Sequence, residues 1–183
     1  ERNLDKVKAR VDAGKLTGRG GPLGVIDMTV KAALNTDTGI TTFRGSGLAV
    51  AGTTADIDAR LDAAGWRAQA RTGTATLAAL RKFVEPWFKL PAEFTTDGKA
   101  VIEGTIADAG KGIEADGTAK FTDVAFTNEA GDLVGEKIDV TARLRAKRRA
   151  ASTDLEIDVA GTRGESFLSI VYFDFTKNPL VLS

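Results

Sequence analysis

The strongest constraint on the fold is an alternation of apolar and polar residues with a period of two. The pattern is clearest in the segment 138–144, where apolar side chains occupy every second position: Ile138, Val140, Ala142 and Leu144. The same alternation returns in Leu155, Ile157 and Val159, and in the segments 26–34 and 57–63. Because successive side chains of a β-strand point to opposite faces, each segment predicts a strand with one apolar and one solvated face.

Glycine-rich clusters between these segments predict tight turns, and turns at such short intervals are typical of an antiparallel sheet. Weaker alternation predicts further strands at 4–11, 48–52, 66–75, 100–107, 112–121 and 124–128. The spacing of apolar residues predicts one short helix near 76–88, which Pro86 should end or kink near Val84. The expected fold class is therefore mainly β, a long antiparallel amphipathic sheet shaped as an open trough or a sandwich.

The segment 165–175 departs from the alternation because nearly all of its residues are apolar. It contains Phe167, Leu168, Ile170, Val171 and Tyr172. Strands that are apolar on both faces are typical of buried positions. The segment therefore predicts one continuous strand that is buried, or that forms one side of an interface.

The composition removes most catalytic chemistry. The chain has no histidine and no cysteine, which excludes Ser-His-Asp and Cys-His schemes, thiolate metal sites and most zinc sites. An enzyme would have to use carboxylates, lysine or Tyr172, the single tyrosine. The 25 basic and 25 acidic residues balance, so no general attraction to nucleic acid is implied. We expect no catalytic residues, no metal and no cofactor.

The charged and glycine-rich motifs fit simpler interpretations better than functional sites. The alternating acids Asp58, Asp62, Asp139, Glu156 and Asp158 fit the solvent face of strands better than an acid/base or calcium site. The basic run 143–149 fits the end of a hairpin better than a contact with anionic headgroups. The glycine cluster 18–24 and the motif around Ser46 are predicted to be turns, since neither has phosphate-loop or nucleophile-elbow context.

The longest run without a charge, 45–55, is much shorter than the roughly 20 residues that a spanning helix needs. The chain begins at Glu1, with neither a start methionine nor a signal-like apolar stretch. For this reason we expect residues 1–183 to form a single β-rich segment of a larger protein.

Several stretches of the chain resemble the AsmA-like superfamily, with the greatest similarity to the YdbH and TamB type. They are GWRAQA at 65–70, LAAL at 77–80, GTAKFTDVAF at 117–126, NEAG at 128–131, VYFDF at 171–175 and NPL at 178–180. The resemblance implies a Gram-negative envelope protein, anchored in the inner membrane, whose β-trough crosses the periplasm and carries phospholipid toward the outer membrane. The family has no shared catalytic signature, so none is transferred.

The resemblance and the apolar strand faces together predict a segment that binds phospholipid or another acyl-chain ligand. The predicted groove lining consists of Ile138, Val140, Ala142, Leu144, Leu155, Ile157, Val159 and Ile170. The alternative is a closed β-sandwich that serves as a binding or structural module of an envelope or surface protein. The two hypotheses differ in whether the apolar faces close on each other or stay open to lipid.

Overall fold

The computed structural model describes residues 8–19, 25–35, 38–50, 52–85, 94–108, 110, 112–149 and 152–182. These residues form twelve strands and one helix. The strands are β1 (Lys8–Arg19), β2 (Val25–Asn35), β3 (Ile40–Val50), β4 (Thr53–Asp62), β5 (Gly65–Thr72), β6 (Ala75–Thr76), β7 (Phe94–Asp108), β8 (Ile113–Asn128), β9 (Leu133–Arg149), β10 (Ser152–Leu168), β11 (Val171–Asp174) and β12 (Leu180–Leu182). Helix α1 (Leu77–Val84) lies between β6 and β7.

The twelve described strands belong to one antiparallel sheet in which spatial order follows chain order from β1 to β5 and from β7 to β11. The short strand β6 pairs with β7, and β12 pairs with β10 beside β11. The sheet is open, since β1 and β11 at its two ends are not joined. The predicted fold class is confirmed, and of its two shapes the described residues show the open sheet, with no second sheet packed on it.

Several strands are longer than the alternation predicted because they continue through glycines and irregularities. The segments predicted at 112–121 and 124–128 form the single strand β8, whose register shifts between Phe121 and Val124. The predicted turn around Ser46 is wrong: Ser46 lies inside β3, where the pairing with β4 shifts between Gly45 and Leu48. Gly18 likewise lies inside β1. Residues 4–7 of the first predicted strand and 20–24 of the glycine cluster lie outside the described residues.

The prediction of one continuous strand over 165–175 is wrong, and so is its burial, while the alternative of one side of an interface stays a prediction. The segment is a hairpin in which β10 ends at Leu168, residues 169–170 turn, and β11 begins at Val171. Ser169 makes the turn with a φ of 61°, a left-handed value that no glycine signals. The hairpin is also exposed, since Phe167 and Tyr172 keep 42% and 57% of their accessible surface.

Helix α1 contacts β6 and β7, in the middle of the strand order, and ends at Val84 as predicted. Thr76 caps its N-terminus, where the side-chain oxygen accepts a hydrogen bond from the Ala79 N–H at 3.2 Å. The Arg81 guanidinium donates to the Phe94 carbonyl at the start of β7. Close to the helix, Ala75 and Ala100 face each other across β6 and β7 and are 2% and 1% exposed.

Burial elsewhere is sparse. The buried apolar residues of the described part are Ala55, Ala75, Ala100, Ile138 and Phe175. Phe175 packs over Gly161 of β10, where a Cβ would lie 3.6 Å from its ring, and its ring stacks on Phe173 at a centroid distance of 6.2 Å. A sheet with so little buried apolar surface has one layer, and strand pairing accounts for most of its contacts.

Candidate functional site

The register of the sheet lines up apolar residues from seven neighbouring strands into one continuous row. We call this set the apolar row: Phe43, Ala59, Ala68, Ile106, Ala115, Ala146 and Leu155, each paired with the next across β3, β4, β5, β7, β8, β9 and β10. Neighbouring strands are about 4.8 Å apart, so six steps give a row about 29 Å long. We call the side of the sheet that carries this row the apolar face.

A second row two residues along each strand widens the apolar face. It contains Gly45, Ile57, Ala70, Gly104, Gly117, Leu144 and Ile157. Positions two residues apart on a strand are separated by about 7 Å, so each row is about 7 Å wide and the two rows together span a footprint of about 29 Å by 14 Å, roughly 400 Å². A patch of this size matches the largest found on monomeric proteins, where such patches often mark a binding site.

Nothing among the described residues covers the centre of the apolar face. Ile106 is 40% exposed, Leu144 41%, Ile157 49% and Leu155 61%. Ala68, Ala115 and Ala146 between them are half-buried by their neighbours. The apolar face is therefore a continuous, solvent-accessible apolar surface.

Seven of the eight residues that the sequence predicted as a lining lie on the apolar face. Leu144 pairs with Ile157, Ala142 pairs with Val159, and Leu155 belongs to the apolar row. Val140 lies on the same face two residues from Ala142, and Ile138, 5% exposed, is packed under its neighbours. The sequence missed the remainder of the apolar row, on β3 to β9, because assigning it requires the register between strands.

Ile170 is the exception among the predicted lining residues. It occupies the turn between β10 and β11 and is 90% exposed. The apolar alternation runs through the turn without a break, which is why the sequence placed Ile170 on a strand. Its inclusion in the lining of the sheet is therefore wrong.

The opposite side of the sheet is charged, and we call it the polar face. Residues next to the apolar row along each strand form a matching row: Arg44, Asp58, Gln69, Thr105, Asp116, Arg145 and Glu156. Arg145 lies 3.2 Å from Glu156 and 3.6 Å from Asp116, and Arg44 lies 2.5 Å from Asp58. These pairs are solvent-exposed, so each stabilises the fold little, but together they fix which face is solvated.

Two carboxylates of the polar face, Glu114 and Asp62, are held ionised by their neighbours. The Lys147 ammonium donates to Glu114 and lowers the pKa of that carboxyl. The pKa of Asp62 is lowered by the Ala64 N–H and by Arg60. A general acid at neutral pH needs a raised carboxyl pKa, which neither group has. The predicted solvent-face role of Asp58, Asp62, Asp139 and Glu156 is confirmed by their pairing with arginines.

A depression of about 570 Å³ lies on the polar face between β5 and β10. Thr105 and Ala107 of β7 line it between Arg67 of β5 and the acids Glu114 and Asp116 of β8. The neighbouring basic run ends in the β9–β10 hairpin, as predicted, where Arg149 pairs with Ser152. Lys147 and Arg145 are engaged by acids around the depression, so its lining is largely internally neutralised.

Within the described residues, no group of histidine, cysteine, aspartate and glutamate side chains is arranged to hold a metal ion. The same part of the chain contains no helix with the length and hydropathy of a membrane span.

Comparisons with protein-family models, with curated proteins and with solved structures found no match to this chain.

Proposed function

We propose that this chain binds the acyl chains of phospholipid along its apolar face and conducts them as one segment of a lipid-carrying trough. The observation that carries the proposal is the apolar row, which is continuous over seven strands and uncovered at its centre. Removing an exposed apolar surface from water by binding a ligand is favourable. Burial of the ligand contributes to the binding free energy in the same way, by about 0.8 kcal/mol for each methylene buried.

The dimensions of the apolar face suit an acyl chain that lies across the strands. Half of a hydrocarbon core of about 30 Å gives about 15 Å for one acyl chain, so the row of about 29 Å exceeds one chain in length. No glutamate, aspartate, lysine or arginine belongs to the apolar row or to the row beside it. An acyl chain therefore meets no charge as it moves along these rows.

The ion-paired polar face supports the same proposal from the opposite side. A sheet buried on both faces would lack charged rows. A sheet with two polar faces would not place Ile106, Leu144 and Leu155 on the same face. The asymmetry fits a wall between water and lipid. The resemblance to the AsmA-like superfamily agrees with this role, and with it we propose a periplasmic location in a longer protein anchored in the inner membrane.

The test is the binding of a fluorescent fatty acid to the purified chain, with native mass spectrometry to detect co-purified phospholipid. Ile106→Asp places a charge in the middle of the apolar row, and Thr105→Asp places the same charge one residue away on the polar face. We expect Ile106→Asp to weaken binding about tenfold or more, since a buried unpaired carboxylate is strongly disfavoured. Thr105→Asp should bind as the unchanged chain does.

Circular dichroism of both variants checks that the sheet is retained. The absence of fatty-acid binding by the unchanged chain would refute the proposal. Equal weakening by the two substitutions would also refute it, because the fatty acid would then not distinguish the two faces.

A further inference from the structure

The hairpin of β10 and β11 ends in an uncharged tip that is apolar on both sides. Between Glu165 and Asp174 the chain has no charged residue, and we call residues 166–173 the hairpin tip. Phe167 pairs with Tyr172 and points to one side, while Leu168 pairs with Val171 and points to the other. Strands β3 to β9 have one apolar and one charged face, whereas the hairpin tip has no charged side.

The hairpin tip is also the most exposed apolar segment of the described residues. Ile170 at the turn is 90% exposed, and Phe167, Leu168, Val171 and Tyr172 are all exposed as well. The exposure of five large apolar side chains at one tip is unfavourable in water. An apolar environment on both sides of the tip would remove this free-energy cost.

We propose that the hairpin tip inserts into the surface layer of a lipid bilayer. A protein partner or a second copy of this chain would meet the tip from one direction and cover one of its sides, whereas a bilayer surrounds an inserted tip. Within the hairpin, Phe167 and Leu168 of β10 are paired with Tyr172 and Val171 of β11. Tyr172 offers a ring with a polar hydroxyl, the type of side chain enriched at the membrane–water interface.

The depth of insertion is limited by the neighbouring turn between β8 and β9. The Ser169 N–H donates to the Asp132 carbonyl at 2.6 Å, so this turn lies beside the tip. It carries the exposed acids Glu129 and Asp132, which have to stay at the level of the headgroups. Insertion is therefore shallow, within the roughly 5–10 Å typical of interfacial segments, and is made chiefly by Ile170 and Val171.

The charges around the hairpin tip indicate which bilayer it prefers. Four acids lie near it, Glu129 and Asp132 on the neighbouring turn and Glu165 and Asp174 at its base. Lys177 is 3.0 Å from Asp174, so these two charges offset each other and the remaining negative set is Glu129, Asp132 and Glu165. Anionic headgroups are repelled by this set, so the tip should favour a zwitterionic bilayer. The inference goes beyond acyl-chain binding and rests on residues outside the apolar row.

The experiment is flotation of the purified chain with phosphatidylcholine vesicles, and with vesicles in which part of the phosphatidylcholine is replaced by phosphatidylglycerol. The variant is Ile170→Asp. Its matched control is Val181→Asp, which changes an aliphatic side chain of β12 that is 69% exposed and lies away from the tip. Fatty-acid binding is measured on the same samples, so a failure of vesicle binding is distinguished from a failure of the proposed function.

We expect the unchanged chain to bind phosphatidylcholine vesicles, and Ile170→Asp to weaken that binding about tenfold or more, as loss of one buried aliphatic side chain implies. Val181→Asp should leave binding unchanged, and phosphatidylglycerol should weaken it. The proposal is overturned if Ile170→Asp binds vesicles as well as the unchanged chain. It is also overturned if the unchanged chain does not bind vesicles but self-associates in sedimentation, and Ile170→Asp abolishes that self-association. The hairpin tip would then be a protein interface.

Discussion

The close approach of β9 and β10 at Gly164 provides a sharp test of the described packing. Gly164 has a φ of 97°, and a Cβ at this position would lie 2.5 Å from the Ile138 Cα and 2.6 Å from the Ile138 backbone nitrogen. Both contacts are with main-chain atoms, which cannot rotate away. Gly164→Ala therefore requires the two strands to separate.

The expected loss of stability has two parts. A residue with a Cβ in a left-handed conformation costs about 1–2 kcal/mol, and forcing extra volume into a packed position costs about 1–3 kcal/mol. Together they predict that Gly164→Ala lowers the free energy of unfolding by about 2–5 kcal/mol, a large part of the 5–15 kcal/mol typical of a folded domain. The Gly164 carbonyl also accepts from the Phe175 N–H at 2.9 Å, so the displacement should loosen the C-terminal turn.

Gly131→Ala separates the two contributions. Gly131 has a φ of 69° and no atom within 4 Å of a Cβ, so alanine there adds the conformational strain without the clash. We expect a loss of about 1–2 kcal/mol. Urea denaturation followed by circular dichroism measures both variants. If Gly164→Ala loses no more stability than Gly131→Ala, β9 and β10 are not in contact as described.

Two further predictions concern the C-terminal turn and the polar face. Phe175→Ala should lower the free energy of unfolding by about 3–5 kcal/mol, because the ring packs over Gly161. It should also speed amide hydrogen exchange in β12, and unchanged exchange there would contradict this prediction. The lowered carboxyl pKa values of Glu114 and Asp174, each caused by a neighbouring lysine, stabilise the fold above the unfolded pKa of about 4. This stability is lost as pH falls through the folded pKa values, so the urea midpoint should fall in acid, and Glu114→Gln should reduce that fall.

The alternation of residues was sufficient to predict the fold class, because one-sided apolar strands depend on nearest neighbours along the chain. It located the face that Leu144, Leu155 and Ile157 share. It did not locate Phe43, Ala68 or Ala115 in the same row, since their alignment depends on pairing between strands. A register shift, such as the one between Gly45 and Leu48, moves side chains relative to the neighbouring strand without a local signal in the sequence.

Glycine was the main source of error in the strand boundaries. The glycine cluster 18–24 and the motif around Ser46 were predicted to be turns, but Gly18 lies inside β1 and Ser46 lies inside β3. The opposite error occurred at the β10–β11 turn, where Ser169 adopts a left-handed conformation within an apolar run. The Ser169 N–H donates to the Asp132 carbonyl in the turn between β8 and β9, a contact that the apolar run by itself does not reveal.

Because strands pair with their neighbours in chain order, this sheet behaves as a nearly one-dimensional array. A hairpin added or removed within such an array lengthens or shortens it by about 10 Å without altering the packing of distant strands. Mutational damage should likewise stay close to its origin, and insertions of paired strands should be tolerated where they preserve the alternation. The span of the molecule is thus a quantity that evolution, or an engineer, can set independently of its cross-section.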